Sequence, residues 1–187
     1  MNILTYSLTD KIPILHHGNE GQFSIGTANC RGEEIHMPVR NSAKAVIMKD
    51  GCVLLTKNQH EQEIFYLFPG GGQEHGETLE EAVKRECIEE IGQEVVVREL
   101  LHVREYIGRN HEHAFFDQNV HQVEFFFACE LAGPWKDQGQ PTRPDDYQVG
   151  VEWIPLNELD HAPFYPKKLG SMLSNRKKSP FYLGDIN

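Results

Sequence analysis

The sequence predicts an α/β protein of the α/β/α sandwich class, and three observations support this prediction. Apolar runs of strand length outnumber helical segments between residues 42 and 154. One helix is strongly signalled over residues 79–91, and a second is expected near residues 167–173. Because strands dominate and helices flank them along the chain, we expect a sheet with helices on either side.

Length and composition fit one domain with a short extension. The chain has 187 residues, of which 39% are apolar and 25% are charged, as in ordinary globular proteins. We assign residues 39–187 to the domain and residues 1–38 to an N-terminal extension. Residues 12–15 and 23–25 allow short strands there. The extension is interpreted as an irregular segment packed on the domain, with a lid or a dimer-swapped arm as the alternative.

Charge and cysteine content exclude several classes of protein. The formal net charge of −10 argues against nucleic-acid binding, which requires a basic surface. The cysteines are widely spaced and form no Cys-x-x-Cys pattern, so we interpret them as free thiols in a reducing compartment: Cys30, Cys52, Cys87 and Cys129. No signal peptide, long apolar run or lipidation motif is present, and we expect a cytoplasmic protein that binds no membrane.

The strands before the helix are marked by apolar residues and by turn residues. Apolar side chains at positions 43, 45 and 47 and at 53–55 flank Lys49-Asp50-Gly51, which is typical of a β-hairpin turn. Residues 64–68 predict the next strand. Pro69 ends it, and a glycine-rich stretch follows.

The predicted helix has clear boundaries. Thr78 is a suitable N-cap, and Glu81 stands three residues later, at the capping-box position. Gly92 is the expected residue after the last turn, since glycine adopts a positive φ without strain.

The helix places carboxylates on its apolar face. At about 100° per residue, Glu86 and Glu90 fall inside the arc of the apolar side chains, which are Leu79, Ala82, Val83, Cys87 and Ile91. Burying unpaired carboxylates costs on the order of several kcal/mol, so a positive partner is needed. A hard divalent cation is one candidate. The other is a solvated Glu-rich face with Lys84 and Arg85 as ion-pair partners.

Beyond the helix, the sequence predicts further strands separated by two long polar loops. The strands are expected at residues 94–107, 123–131 and 149–154. The loops are expected at residues 108–120 and 133–148.

The glycine-rich stretch and the helix together resemble the Nudix box, G-x5-E-x7-R-E-U-x-E-E-x-G-U, in which U is aliphatic. Every fixed position is matched: Gly71, Glu77, Arg85, Glu86, Glu89, Glu90 and Gly92. Cys87 and Gln93 replace the two aliphatic residues, and both changes affect packing and not the chemistry. The resemblance to the Nudix hydrolase superfamily covers roughly residues 40–175, including a W-x-P-L-x-E-L segment at 153–159. It implies an α/β/α sandwich with a mixed central sheet.

The resemblance also implies a hydrolase that requires Mg²⁺, for which Mn²⁺ can substitute. Its metal ligands are expected among Gly70, Gly71, Glu86, Glu89 and Glu90, with Glu86 and Glu90 the main ones. Arg85 is expected to pair with Glu77 or Glu89 and to orient it. The alternative is that Arg85 contacts a substrate phosphate.

The general base stays open at the level of sequence. It is either a box glutamate or an acid of the later loop, where Asp145 and Asp146 are the candidates. Glu124 and Glu152 are further acids within predicted strands. Three histidines in or beside the first loop are interpreted as surface residues, because no carboxylate or cysteine stands at a recognised metal-ligand spacing: His111, His113 and His121.

The region after the box resembles Nudix proteins that act on ADP-ribose or nucleoside-diphosphate sugars. The proline that marks many ADP-ribose hydrolases is missing near residues 107–110. We expect Arg40, Arg104 and Tyr106 to contact the substrate. Phe115 and Phe116 either stack on a base or pack in the core.

The expected reaction is cleavage of the diphosphate linkage of a nucleoside diphosphate derivative by attack of water on phosphorus. The alternative is the release of pyrophosphate from a nucleoside triphosphate, which would use the same box. A non-catalytic nucleotide-sensing module is the least favoured, because no box glutamate is lost. The expected partner is a small nucleotide, and a homodimer is left open.

Overall fold

The computed structural model describes residues 37–112, 114–135, 141–175 and 181–187. The strands considered for residues 12–15 and 23–25, the role of the N-terminal extension and the predictions for His113 lie outside these ranges. None of the helices in the described ranges has both the length and the apolar content that a bilayer-spanning helix needs.

Eight strands and three helices follow one another along the described ranges. Their order is β1 (Arg40–Lys49), β2 (Cys52–His60), β3 (Glu63–Leu67), β4 (Gly70–Gly72), α1 (Leu79–Ile91), β5 (Val95–Ile107), α2 (Ala114–Asp117), β6 (His121–Leu131), β7 (Gln148–Pro155), α3 (Lys167–Asn175) and β8 (Tyr182–Asp185). Each strand predicted for residues 42–154 is present, whereas β4 and β8 were not predicted. In the W-x-P-L-x-E-L segment, Leu156–Glu158 forms a single 3₁₀ turn, and the C-terminal helix α3 begins only at Lys167.

The sheet is mixed and has β1 near its centre. Its strand order is β3-β2-β1-β6-β5-β8, with β4 paired to β1 and β7 paired to β2. β1 runs parallel to β6, and β5 runs parallel to β8, while the other pairs are antiparallel. The first half of β1 pairs with the glycine strand β4, and its end pairs with β2. The glycine-rich stretch therefore lies beside the middle of the sheet.

The sheet separates two apolar clusters. On one face, α1 packs against alternate residues of β1, namely Ala43, Ala45 and Ile47. On the other face, Val46 packs with Phe126 of β6 and with side chains of the C-terminal segment, such as Phe164. The predicted α/β/α sandwich follows from this alternation along β1.

Local chemistry fixes where α1 begins and how closely β4 approaches β1. Thr78 and Glu81 form the predicted capping box, and Gly92 has a φ of 65°. Gly70 has a φ of +130°, and a Cβ there would lie 2.1 Å from the Ala43 carbonyl oxygen. Glycine is therefore required at residue 70, and the strand that precedes the box helix is held directly against β1.

Candidate active site

Glu90 is a buried carboxylate on α1 and is 4% exposed. Its Oε2 accepts a hydrogen bond from the backbone N–H of Gly70 at 2.8 Å. Burial raises the pKa of Glu90 to about 8; the carboxylates of Asp145 and Glu86 also raise it, while the Lys44 ammonium and the Gly70 N–H lower it. Burial is thus the main reason that Glu90 resists ionisation, and a cation bound beside it would favour the charged carboxylate.

Glu86 also lies against the glycine strand. A Cβ on Gly71 would be 2.5 Å from Oε1 of Glu86, so the carboxylate can stand there only because residue 71 is glycine. The Gly71 carbonyl accepts a hydrogen bond from the Ser42 hydroxyl at 3.0 Å. Two carboxylates of α1 therefore meet adjacent residues of β4.

Arg85, on α1, forms hydrogen bonds with the loop between β4 and α1. Its Nε and Nη2 donate to the two carboxylate oxygens of Glu77 at 3.1 and 2.8 Å. Its Nη1 donates to Glu86 at 2.7 Å, and Nη2 also donates to the Gly72 carbonyl at 3.0 Å. Glu89 is farther away, with 3.7 Å between its Oε2 and Nη1. The expected pairing of Arg85 with Glu77 is present, and the guanidinium is directed at groups of the protein itself.

Glu77 is held as an anion by this pairing. The hydrogen bonds from Arg85 lower the pKa of Glu77; burial opposes them, and a hydrogen bond from the Glu74 backbone adds to them. The Glu74 N–H lies 2.7 Å from Oε1 of Glu77. Glu77 thus fixes the loop between β4 and α1.

The segment before β7 closes over the end of α1. The Arg143 N–H donates to the Glu89 carbonyl at 3.0 Å, and the Gln148 side chain donates to the Glu90 carbonyl at 2.6 Å. These bonds occupy carbonyls that the last turn of a helix leaves without a partner. They also bring Asp145 close enough for its charge to act on Glu90, although Asp145 and Asp146 are both exposed.

Polar side chains, of which those of Ser42, Glu124 and Arg104 are buried, extend from the glycine strand across the sheet face opposite α1. One row of laterally paired residues contains Gly72, Ser42, Glu124 and Arg104. The next row contains Arg40, Gln122 and Tyr106. We call the side chains of these rows, together with Lys44, the polar sheet face. With about 4.8 Å between strands, it reaches roughly 14 Å from β4 to β5.

The three residues expected to contact substrate all lie on the polar sheet face. Arg104 is 6% exposed, and its guanidinium donates to Glu124 at 2.5 Å and to the Ile186 carbonyl at 2.6 Å. The Tyr106 hydroxyl donates to Asp117 at 2.8 Å. Arg40 is exposed, with its guanidinium over Gly72. As substrate contacts, all three stay predictions.

Other candidate residues are engaged away from the box. Glu152 accepts hydrogen bonds from Lys57 at 2.6 Å and from Tyr66 at 2.8 Å, and these bonds lower its pKa. Nε2 of His111 lies 2.5 Å from a carboxylate oxygen of Asp185. Phe115 is 82% exposed, so the interpretation of Phe115 as a core residue is wrong.

Two side chains of the site were not singled out from the sequence. The Lys44 ammonium donates to the Gly70 carbonyl, and Gln148 holds the end of α1. Lys44 had a visible signal, because it is a charge within a predicted apolar strand. Gln148 had none, since a glutamine at the start of a strand has no distinctive pattern.

The site contains the type of donor atom, oxygen, that a hard divalent cation prefers. The donors are oxygen atoms of the Glu86 and Glu90 carboxylates and of the Gly70 and Gly71 carbonyls, in a partly buried and negative environment. Within the described ranges, no three acidic, histidine or cysteine side chains converge on one point. Glu86 is turned to Arg85 and Glu90 to the Gly70 N–H, so binding a cation would require these side chains to exchange partners.

Comparison with known proteins agrees with the geometry of the box. The family model for the NUDIX domain matches residues 38–173. The nucleoside triphosphatase NudI of Salmonella arizonae is 38% identical over 58 residues, which are 29% of this chain and 41% of NudI. The aligned part of the chain thus spans less than half the length of the curated relatives that it matches.

Solved structures share the fold. A NUDIX hydrolase from Nitrosomonas europaea has a TM-score of 0.60 and 18% identity, with 74% of this chain and 89% of that chain covered. An ADP-ribose pyrophosphatase from Streptococcus suis has a TM-score of 0.53 and 16% identity, with 80% and 100% covered. Such identities establish the fold alone. Since the family model covers most of the chain and every fixed box residue is present, the chain belongs to the NUDIX family.

Proposed function

We propose that this protein is a magnesium-dependent hydrolase of a nucleoside diphosphate derivative such as ADP-ribose. The reaction is cleavage of the diphosphate linkage by attack of water on phosphorus. The observation that carries the proposal is the placement of Glu86 and Glu90 against adjacent residues of β4. Two carboxylates beside the Gly70 and Gly71 carbonyls suit a cation that binds phosphate oxygens.

Each box residue then has a defined task. Glu86 and Glu90 hold the cation together with the Gly70 carbonyl, and Glu89 is the third carboxylate. Bound Mg²⁺, or Mn²⁺ in its place, neutralises phosphate charge and lowers the pKa of water. Arg85 positions Glu86 and Glu77. Asp145, whose charge already acts on Glu90, is the candidate base that takes the proton from the attacking water, and Asp146 is the alternative.

The substrate class rests on the polar sheet face. Arg40 and Lys44 place positive charge beside β4, where the phosphates would lie. Tyr106 is fixed about three strand spacings away, roughly 14 Å, by Asp117 and by stacking on His111 at 5.1 Å. This length suits a substrate with a group on each side of the diphosphate.

A second candidate function is the hydrolysis of a nucleoside triphosphate to a monophosphate and pyrophosphate. The observation that favours it is the similarity to the nucleoside triphosphatase NudI. The two candidates share the cation site and differ in what the polar sheet face accommodates. The value of kcat/KM for each substrate class decides between them.

The cation site is tested by Glu90→Gln, which keeps size and shape and removes the charge. With ADP-ribose and Mg²⁺, we expect kcat to fall at least about 100-fold, since a metal ligand is lost. Excess chelator should abolish wild-type turnover.

Stability provides a second readout of Glu90→Gln. Because burial raises the pKa of Glu90, the neutral side chain should leave the melting temperature in chelator equal to or above that of the wild type. The rise in melting temperature that Mg²⁺ gives the wild type should be lost in the variant. The matched control is Glu94→Gln, an exposed carboxylate beyond the helix, which should behave as wild type. Full turnover in Glu90→Gln would contradict the assignment.

A further inference from the structure

Lys44 places a positive charge inside an apolar strand. Its neighbours Ala43, Ala45, Val46 and Ile47 are at most 2% exposed. The ammonium donates a hydrogen bond to the Gly70 carbonyl. That carbonyl is the oxygen that the proposed function gives to the divalent cation.

Backbone register holds this arrangement in place. Lys44 and Gly70 are direct partners in the β1–β4 ladder. Next to them, the Ala45 N–H donates to the Pro69 carbonyl at 2.8 Å. Gly70 itself is bonded on both sides, because its N–H donates to Glu90 and its carbonyl accepts from Lys44.

We propose that Lys44 is an intrinsic cation of the site, which competes with the divalent metal ion for the Gly70 carbonyl. This inference rests on the proposed function, since it assumes that the metal binds there. Binding of the metal displaces the ammonium from the carbonyl, because two cations on one oxygen repel each other strongly in a partly buried site. The displaced ammonium stays beside β4 with Arg40, where the phosphates of the substrate would lie.

A purely structural role for Lys44 predicts the opposite effect on metal affinity. If Lys44 only fastened β4, its removal would loosen the donors, and the metal would bind more weakly. If Lys44 competes, its removal takes a positive charge away from the donors, and the metal binds more tightly. The sign of the change in affinity therefore separates the two roles.

The experiment measures the dissociation constant of Mn²⁺ by electron paramagnetic resonance, with metal-depleted full-length protein, no nucleotide and about 0.15 M salt. Long-range charge effects are then screened beyond about 8 Å. For Lys44→Met we expect binding at least about fivefold tighter than in the wild type. Lys44→Arg keeps the charge and should stay within about twofold. The matched control is Lys49→Met at the exposed end of the same strand, which should also stay within about twofold.

Lys44→Gln separates charge from hydrogen bonding and serves as a second variant if Lys44→Met does not fold. Its amide can still donate to the Gly70 carbonyl, yet it carries no charge, so tighter Mn²⁺ binding is again expected. Unchanged or weaker binding in the folded neutral variants overturns the inference.

Glu90→Gln, measured in parallel, distinguishes failure of the inference from failure of the proposed function. Loss of Mn²⁺ binding in Glu90→Gln, together with no tightening in the Lys44 variants, removes only the role of Lys44. Wild-type Mn²⁺ affinity in Glu90→Gln shows that the metal lies elsewhere, and both proposals then fall.

Discussion

At the scale of single residues, Arg85 is the group on which the shape of the box depends. Its guanidinium donates to both oxygens of Glu77, to Glu86 and to the Gly72 carbonyl. The planar fork of arginine matches a carboxylate in two places at once, whereas the ammonium of lysine cannot. Arg85 therefore fixes the loop, β4 and the helix relative to one another.

Arg85→Lys should lower kcat by about tenfold or more, with a smaller change in KM, because Glu86 loses the group that orients it. We also expect the free energy of unfolding to fall by about 1–3 kcal/mol through the lost charge-assisted bonds. Steady-state kinetics and urea unfolding measure the two effects.

The matched control is Arg98→Lys. Arg98 pairs with Glu130 at 2.7 Å, but their side chains are 49% and 63% exposed, and such surface pairs contribute little to stability. This control should keep wild-type kcat and stability. Unchanged kcat in Arg85→Lys would show that the guanidinium does not organise the site.

Residues of the box could be predicted from sequence because their relations are local. Helical geometry alone places Glu86 and Glu90 within the apolar arc, and the burial of Glu90 agrees with this prediction. The contact between Lys44 and Gly70 could not be predicted in this way. It depends on the pairing of β1 with β4, and three consecutive glycines give no side-chain periodicity from which to predict a strand.

At the scale of elements, β8 holds the end of β5 and the turn after it in place through hydrogen bonds to Asp185. Asp185 accepts hydrogen bonds from the Ile107 N–H at 3.0 Å and from the Asn110 side chain at 2.7 Å. The first polar loop, predicted as irregular, contains a 3₁₀ turn over Gly108–Asn110 and the single turn α2. β8 was not predicted, because it is short and pairs in parallel with β5, a strand distant in sequence.

Asp185→Asn tests how much the Asp185 carboxylate contributes to stability and how that contribution depends on pH. Burial acts to raise the pKa of Asp185, but hydrogen bonds from Asn110, Ile107 and His111 outweigh it, so the folded pKa is lowered. The carboxylate therefore contributes stability above the unfolded pKa, which is about 4, and this contribution is lost as pH falls through the lower folded pKa. At pH 5 we expect the variant to be less stable by about 1–2 kcal/mol.

Urea unfolding at pH 5, 4 and 3 measures the difference between Asp185→Asn and the wild type. The difference should shrink steadily towards pH 3. Asp160→Asn, at an exposed aspartate, should show little difference at any of these values. A difference for Asp185→Asn that is the same at all three pH values would contradict a contribution from the ionised carboxylate.

At the scale of the whole molecule, the sheet brings distant segments to one site. β1, β4 and α1 supply the proposed cation site, and β5 and β6 extend it as the polar sheet face. The fold class could be predicted from strand patterns and the box, since both are encoded locally. The order of the strands could not, because the β1–β6 and β5–β8 pairings join segments that are far apart in sequence. A net charge of −10 makes a cation at the site all the more necessary for an anionic substrate.

The central claim is that water attacks phosphorus within the diphosphate of a nucleoside diphosphate derivative. Wild-type protein is incubated in ¹⁸O-labelled water with Mg²⁺ and either ADP-ribose or a set of nucleoside triphosphates, and the products are analysed by mass spectrometry. We predict a higher kcat/KM for ADP-ribose, with one ¹⁸O atom per turnover in either AMP or ribose 5-phosphate. Intact ADP-ribose, under conditions in which a triphosphate yields monophosphate and pyrophosphate, would contradict the proposed substrate class and favour the second candidate.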